Sequence, residues 1–177
     1  MSKAVLISTR PEWCEKIMTG QNTIEVRKTR PKMNPPFKCY IYRSVQGGVI
    51  GEFVCDHIFE RIVRVGASCE APKYCICDWN MDCTPLDTLL ADACLTKDEL
   101  EKYLDGGVGY GWHISNLKIY DTPKELIEFH TWKKCKSCNK SGYESTACIY
   151  DENCIIPAAI TKAPQSWCYV EEEIWND

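Results

Sequence analysis

Ile7 to Arg27, ISTRPEWCEKIMTGQNTIEVR, leaves little choice of local structure. It reads as a strand end, a short helix, a glycine stop and a second strand that carries an acid and a base. Pro11 can open the helix because its missing N–H would have no partner in a first turn, and Trp13 and Ile17, four apart, share one face that can be buried. Gly20 supplies the stop. Side chains alternate along the strand that follows, so Ile24 and Val26 point to one side while Thr23, Glu25 and Arg27 point to the other. One face packs and the other is available to a ligand.

Short strands punctuated by turn residues continue the pattern. Ala4 to Ser8 reads as a first strand. Pro31, Pro35 and Pro36 enforce a loop, since proline cannot donate to a sheet ladder. Phe37 to Arg43, Val49 to Cys55 and Ile58 to Val65 read as three strands, with Gly47 and Gly48 turning the first hairpin. Residues 66–83 lose the alternation and are expected to form an irregular insertion. Thr84, Pro85 and Asp87 signal a helix start ahead of Leu86, Leu89, Leu90 and Ala93, and Thr96 with Glu99 makes a capping box for a second helix reaching Leu104. Gly106, Gly107, Gly109 and Gly111 form a flexible link into a strand from Trp112 to Tyr120. Thr122, Pro123 and Glu125 are expected to cap a helix ending near Phe129, and Trp167 to Val170 to form a last strand. That order predicts a small, mostly antiparallel β-barrel plugged by helices, an α+β fold that is mostly β.

A chain of 177 residues that is 45% hydrophobic supports one good core with an appendage. The expected organisation is a barrel over residues 1–130, a cysteine-rich segment over 131–157, and a C-terminal strand returning to the barrel over 158–177. No apolar run approaches the ~20 residues of a membrane span, and MSKAVLIST lacks the apolar core and cleavage site of a signal peptide. A soluble, cytoplasmic protein with no membrane partner is expected.

Thirteen cysteines with no export signal suit reduced thiols, some of them on metal, better than disulfides. Cys135, Cys138, Cys148 and Cys154 are spaced C-x2-C-x9-C-x5-C in a polar, lysine-rich stretch. A C-x2-C knuckle brings two thiolates to one ion from a tight turn, and a later pair completes a tetrahedral Zn²⁺ site at ~2.3 Å per sulfur. Four protein ligands leave no open position, so this zinc would be structural. Cys69, Cys75, Cys77 and Cys83, in the insertion, follow no common zinc spacing. Cys14, Cys39, Cys55, Cys94 and Cys168 read as small buried apolar groups.

The pattern of Pro11, Gly20, Thr23, Glu25 and Arg27 resembles the ASCH domain, a member of the PUA-like superfamily. The likeness runs on through Val49 to Val54, Leu95 to Leu104 and Gly109 to Ile119, GYGWHISNLKI. This resemblance implies a PUA-like barrel whose cleft lies beside the motif, lined by Thr23, Glu25 and Arg27 with His113 and Ser115 of the late strand. PUA-like relatives hold RNA or a flipped, modified base. The residue chemistry suits such ligands: an arginine fork matches phosphate or a base edge, and a glutamate accepts from exocyclic amines. Trp13, Tyr110 and Trp112 offer stacking surfaces, and Lys28 and Arg30 of the basic loop can meet phosphate. A net charge of −4 argues against coating long nucleic acid and for a discrete ligand.

The leading expectation is a noncatalytic module that recognises RNA, a modified base or a nucleotide-type ligand. A plainer reading makes Glu25 and Arg27 a structural salt bridge across the barrel. Some ASCH proteins resemble amidohydrolases of acylated cytidine nucleosides, and others have been proposed as ribonucleases. The amidohydrolase route uses a lysine where this chain has Asn22, and Glu25 stands where that type has threonine. Asparagine supplies neither a proton nor a positive charge. An enzyme of either kind would need Glu25 as acid or base and Arg27 on phosphate. A third class is a zinc-stabilised protein that contacts an unidentified protein partner or sequesters a nucleotide signal.

Overall fold

The computed structural model describes residues 2–64, 74–77, 83–84, 86–134 and 155–172. In chain order they form β1 (Lys3–Thr9), α1 (Pro11–Met18), β2 (Ile24–Arg27), β3 (Phe37–Arg43), β4 (Val49–Cys55) and β5 (Ile58–Arg64), then the short β6 (Tyr74–Cys77) and β7 (Cys83–Thr84). The helices α2 (Asp87–Asp92) and α3 (Lys97–Leu104) precede β8 (Gly109–His113) and β9 (Ser115–Lys124). A 3-10 turn at Leu126–Glu128, β10 (His130–Lys134), β11 (Ile155–Ala159) and β12 (Trp167–Glu171) complete the order.

Two five-stranded sheets result, β12-β1-β3-β4-β9 and β2-β8-β5-β6-β7, with a two-stranded β10–β11 ribbon beside them. In the first sheet β1 and β3 run parallel, because α1 and β2 carry the chain across between them. The apolar run AVLI in β1 is buried on both faces. Val5 and Ile7 join Cys39, Ile41, Phe53, Trp112 and the α1 residues Cys14 and Ile17 in a core that draws on both sheets. Ala4 and Leu6 pack the other way, against Tyr40, Val49, Phe129, Ile160 and Val170. Beyond the second sheet, Ile24, Val26 and Ile62 meet Leu89 and Leu90 of α2 and Leu100 and Leu104 of α3. Helices this short do not hold alone in water, whereas each buried leucine contributes about 1.5–3 kcal/mol. The expected capping box adds to this: Thr96 Oγ1 accepts from Glu99 N, and Glu99 Oε2 accepts from Thr96 N at 2.8 Å.

Four expectations are corrected. The barrel is not closed: the sheets have separate strand orders, and the strand expected from Trp112 to Tyr120 is two strands divided at Ile114. Asn116, with φ +49°, turns the backbone just past that break, so β8 stays with β2 and β5 while β9 pairs with β4. The helix expected to end near Phe129 is reduced to the single 3-10 turn Leu126–Glu128, with Glu125 at its N-cap and Phe129 at its C-cap, so Glu125 caps as expected while Thr122 and Pro123 do not. β9 instead continues through Pro123 to Lys124, which pairs with Val49. Proline is tolerated there because β9 is an edge strand and needs no second ladder. Finally, the insertion is not wholly irregular, since Tyr74–Cys77 and Cys83–Thr84 extend the second sheet. Residues 66–73 and 78–82 of that expectation lie outside the described residues, as do Cys135, Cys138, Cys148 and Cys154. No helix among the described residues is long and apolar enough to cross a membrane.

Candidate functional site

The approach to β2 is fixed by backbone chemistry. Gly20 takes φ +72°, and Gln21 N and Asn22 N both donate to Lys16 O, at 2.9 and 3.0 Å. Asn22 is buried, and its Oδ1 accepts from Ile24 N at 3.1 Å. Asn22 therefore holds the turn that launches the strand. From there Ile24 and Val26 face the helices, and Glu25 and Arg27 face the inter-sheet core, where Glu25 is in register with Trp112 and Arg27 with Tyr110 on β8.

Arg27 spans the seam between the two sheets. Its Nη2 pairs with Glu25 Oε1 at 2.8 Å and donates to Ser8 O at 2.8 Å and Thr9 Oγ1 at 3.1 Å; Nη1 reaches Ser166 O and Oγ, each at 3.4 Å. The guanidinium thus ties the edge strand β2 to the ends of β1 and β12, doing with a side chain what a closed ladder would do with backbone. Both partners are buried, Glu25 at 8% and Arg27 at 7% exposure. Burial pushes the Glu25 carboxyl above its ordinary range, and the charge and hydrogen bond of Arg27 only partly offset this. The nearby Cys14 thiol is pushed up to about 12, chiefly by burial and next by the Glu25 charge. Two donors in this region, Arg27 Nε and Trp112 Nε1, are buried without a hydrogen-bond partner among the described residues.

Aromatic rings pack in a row beside the seam. Phe37, Trp112, Trp167 and Tyr169 meet edge to face in succession, with centroids 6.1, 6.0 and 5.3 Å apart. The basic loop is anchored to them: Trp167 Nε1 donates to Thr29 Oγ1 at 2.9 Å, and Lys32 N donates to Tyr169 Oη at 2.7 Å. Lys28 is exposed and sits 5.4 Å over the Tyr103 ring, and Arg30 is half-buried.

Of the residues singled out from sequence, the fold brings Glu25, Arg27 and Trp112 together, with Lys28 on the rim. Thr23 is half-buried, its backbone engaged by Asp92 and Ile114. His113 and Ser115 belong to another cluster. His113 is in register with Ile24, hence on the opposite face of β8 from Trp112, and its Nδ1 lies 2.7 Å from Asp56 Oδ1. Ser115 Oγ donates to Val54 O at 2.8 Å. The hydrogen bond from His113 is the main cause holding the Asp56 carboxyl below its ordinary value.

Thr9 and Arg43 belong, with Ser166, to the polar end of this core; Ser166 is legible in the sequence as a residue that can face the pocket, whereas Thr9 and Arg43 were not legible as site residues. A signal existed for one of them. Phe37, Cys39, Ile41 and Arg43 alternate onto one face of β3, so an apolar row ends in a charge. A shallow groove of ≈ 570 Å³, lined by Lys3, Met33, Asn34, Phe37 and Lys38 among others, lies at the start of β1, roughly 20 Å along the strand from Thr9. Among the described residues no three His, Cys, Asp or Glu side chains gather to hold a metal ion.

No protein-family profile and no curated protein matches the sequence. Solved structures do match. The crystal structure of ASCH from Zymomonas mobilis superposes with a TM-score of 0.51 at 19% identity, covering 70% of this chain and 73% of that one. A tyrosine-to-phenylalanine mutant of that protein gives 0.50 at 18% identity over 71% and 77% of the two chains. A serine-to-alanine mutant gives 0.54 at 15% over 96% and 89%. At such identities the likeness establishes the fold: this chain has the fold of an ASCH domain, built mostly of strands.

Proposed function

We propose that this ASCH-fold chain is a noncatalytic binding module for a nucleotide-type ligand, a modified base or a short stretch of RNA, held at the seam beside Glu25 and Arg27. The observation that carries the reading is the pair of buried, unpartnered donors, Arg27 Nε and Trp112 Nε1, beside a buried carboxylate acceptor. A buried donor without a partner costs free energy, and a base edge or phosphate offers the acceptors that would relieve it. The half-buried Trp167 supplies ring surface, and Lys28 and Arg30 supply charge at the rim. The test is calorimetric titration of the full chain with common ribonucleosides, their monophosphates and cyclic nucleotides. Binding at micromolar concentrations that is weakened in the isosteric variant Glu25→Gln supports the proposal. No heat with any of them at high micromolar concentration overturns it.

One observation favours a second reading, hydrolysis of RNA or of an acylated cytidine. Burial raises the Glu25 carboxyl above its ordinary value, the direction that favours a group taking and returning a proton. Turnover on either substrate, lost in Glu25→Gln, would move the chain from binder to enzyme.

We further propose that Cys135, Cys138, Cys148 and Cys154 bind one structural zinc. Their spacing supports this, and so does their position in the chain: β10 and β11 pair as far as Lys134 with Ile155, so Cys135 and Cys154 directly follow and precede the last register pair. Native mass spectrometry should find about one zinc per chain, lost in Cys138→Ser. Metal-free protein after purification in zinc-containing buffer would end this proposal.

A further inference from the structure

The polar end of the inter-sheet core contains a second guanidinium that the contacts described above leave unused. Arg43 ends β3 on the face occupied by Cys39 and Ile41, and its Nε is buried with no hydrogen-bond partner among the described residues. Its backbone is fully occupied, Arg43 N donating to Gly48 O and Gly47 N donating to Arg43 O. Among the described residues no carboxylate lies within ion-pair distance of its side chain. Arg43 is in register with Thr9 across the parallel β1–β3 pair, and Thr9 Oγ1 accepts from Arg27. Cys14, whose Sγ donates to Thr9 O at 3.6 Å, feels the charge of Arg43 and, more weakly, that of Arg27. Two arginines therefore converge on Thr9, and Glu25 neutralises only the one it is bonded to. The other nearby acid, Glu12, is exposed in the first turn of α1.

A partly desolvated guanidinium without a counter-ion is unfavourable unless something anionic completes it. We infer that Arg43 binds a phosphate group, that of the nucleotide-type ligand proposed above, on which reading the assignment of the phosphate's source rests. The fork of guanidinium donors matches phosphate oxygens and cannot lose its charge. The start of α1 contributes little, since Pro11 has no N–H and Trp13 N and Cys14 N are both spent on Arg10 O. The groove at the far end of β1 is a poorer phosphate site, because Lys38 there is shared between Glu52 and Glu172.

The experiment is proton–nitrogen correlation NMR of the arginine Nε–H groups of the full chain, with the Arg43 signal assigned from Arg43→Gln. Titrants are inorganic phosphate, the common ribonucleosides and their monophosphates, against chloride at matched ionic strength. The Arg43 signal should move with phosphate and with a monophosphate but not with the nucleosides, and Arg43→Gln should weaken monophosphate binding about tenfold or more, as expected for loss of a charge-assisted pair, with nucleoside binding kept. An Arg43 signal that ignores phosphate overturns the inference, and the wild-type titration decides this even if the variant fails to fold. Nucleoside binding with no response at Arg43 would sink this inference and leave the binding-module reading standing. A phosphate response at Arg43, with no nucleotide or nucleoside bound more tightly than phosphate itself, would do the reverse.

Discussion

Glu25 sits beside a guanidinium and still holds its proton more tightly than a carboxyl in water, because lost hydration outweighs the neighbouring charge. The native state thus binds this proton better than the unfolded chain does. The stability contributed in this way is complete below the ordinary value of 4.5 and is lost as pH rises through the higher native value. In urea unfolding between about pH 4 and about pH 8, the wild type should lose stability relative to Glu25→Gln as pH climbs. A wild-type advantage that grows with pH would mean that the Arg27 charge prevails. Sequence was enough to see that Glu25 and Arg27 share a face, since that follows from alternation. It could not show that Arg43 has no counter-ion among the described residues, because that depends on which carboxylates from distant strands fail to reach it. Nor could it show that Asn22 is needed for its Oδ1, a role set by the φ of Gly20 two residues before.

Gly51 shows why β4 and β9 lie so close. A Cβ there would stand 2.5 Å from Lys118 O, a backbone atom that moves only if β9 moves with it. Gly51→Ala should therefore cost about 1–3 kcal/mol in urea unfolding, as overpacked core sites do. An unchanged midpoint would mean that the edge strand slides freely. The elements legible in sequence were those whose faces differ: β3 and β4 fell where alternation and the Gly47–Gly48 turn placed them, and α3 where Thr96 and Glu99 capped it. Elements were misread where local signals mislead. Thr122 and Pro123 look like a helix start, yet both belong to a strand whose outer edge needs no donors. The break at Ile114 follows from which partner each half of the chain finds, β2 and β5 or β4, and such pairings are not local.

At the scale of the whole molecule, β12 is held by β1 over five register pairs, from Lys3 with Glu171 to Ile7 with Trp167, and Ser166 and Pro164 receive the side chains of Arg27 and Ser8. A chain ended after Ile160 would leave one edge of β1 bare and Arg27 short of acceptors. It should show no cooperative thermal transition by circular dichroism. A sharp transition in that truncated chain would mean that β3 and β4 suffice to hold β1. The joining of the sheets by Arg27 in place of a closed ladder was beyond sequence reasoning, because a barrel and two open sheets ask for the same alternation in each strand. Ser8 and its acceptor Pro164 are 156 residues apart. On a ribosome adding ~5–20 residues per second, β1 emerges roughly 10–30 s before the strand that covers its outer edge exists. For that interval the nascent chain offers an unpaired, apolar edge to whatever meets it at the exit tunnel, so the yield of folded protein should depend on translation speed and on chaperones that shield such edges.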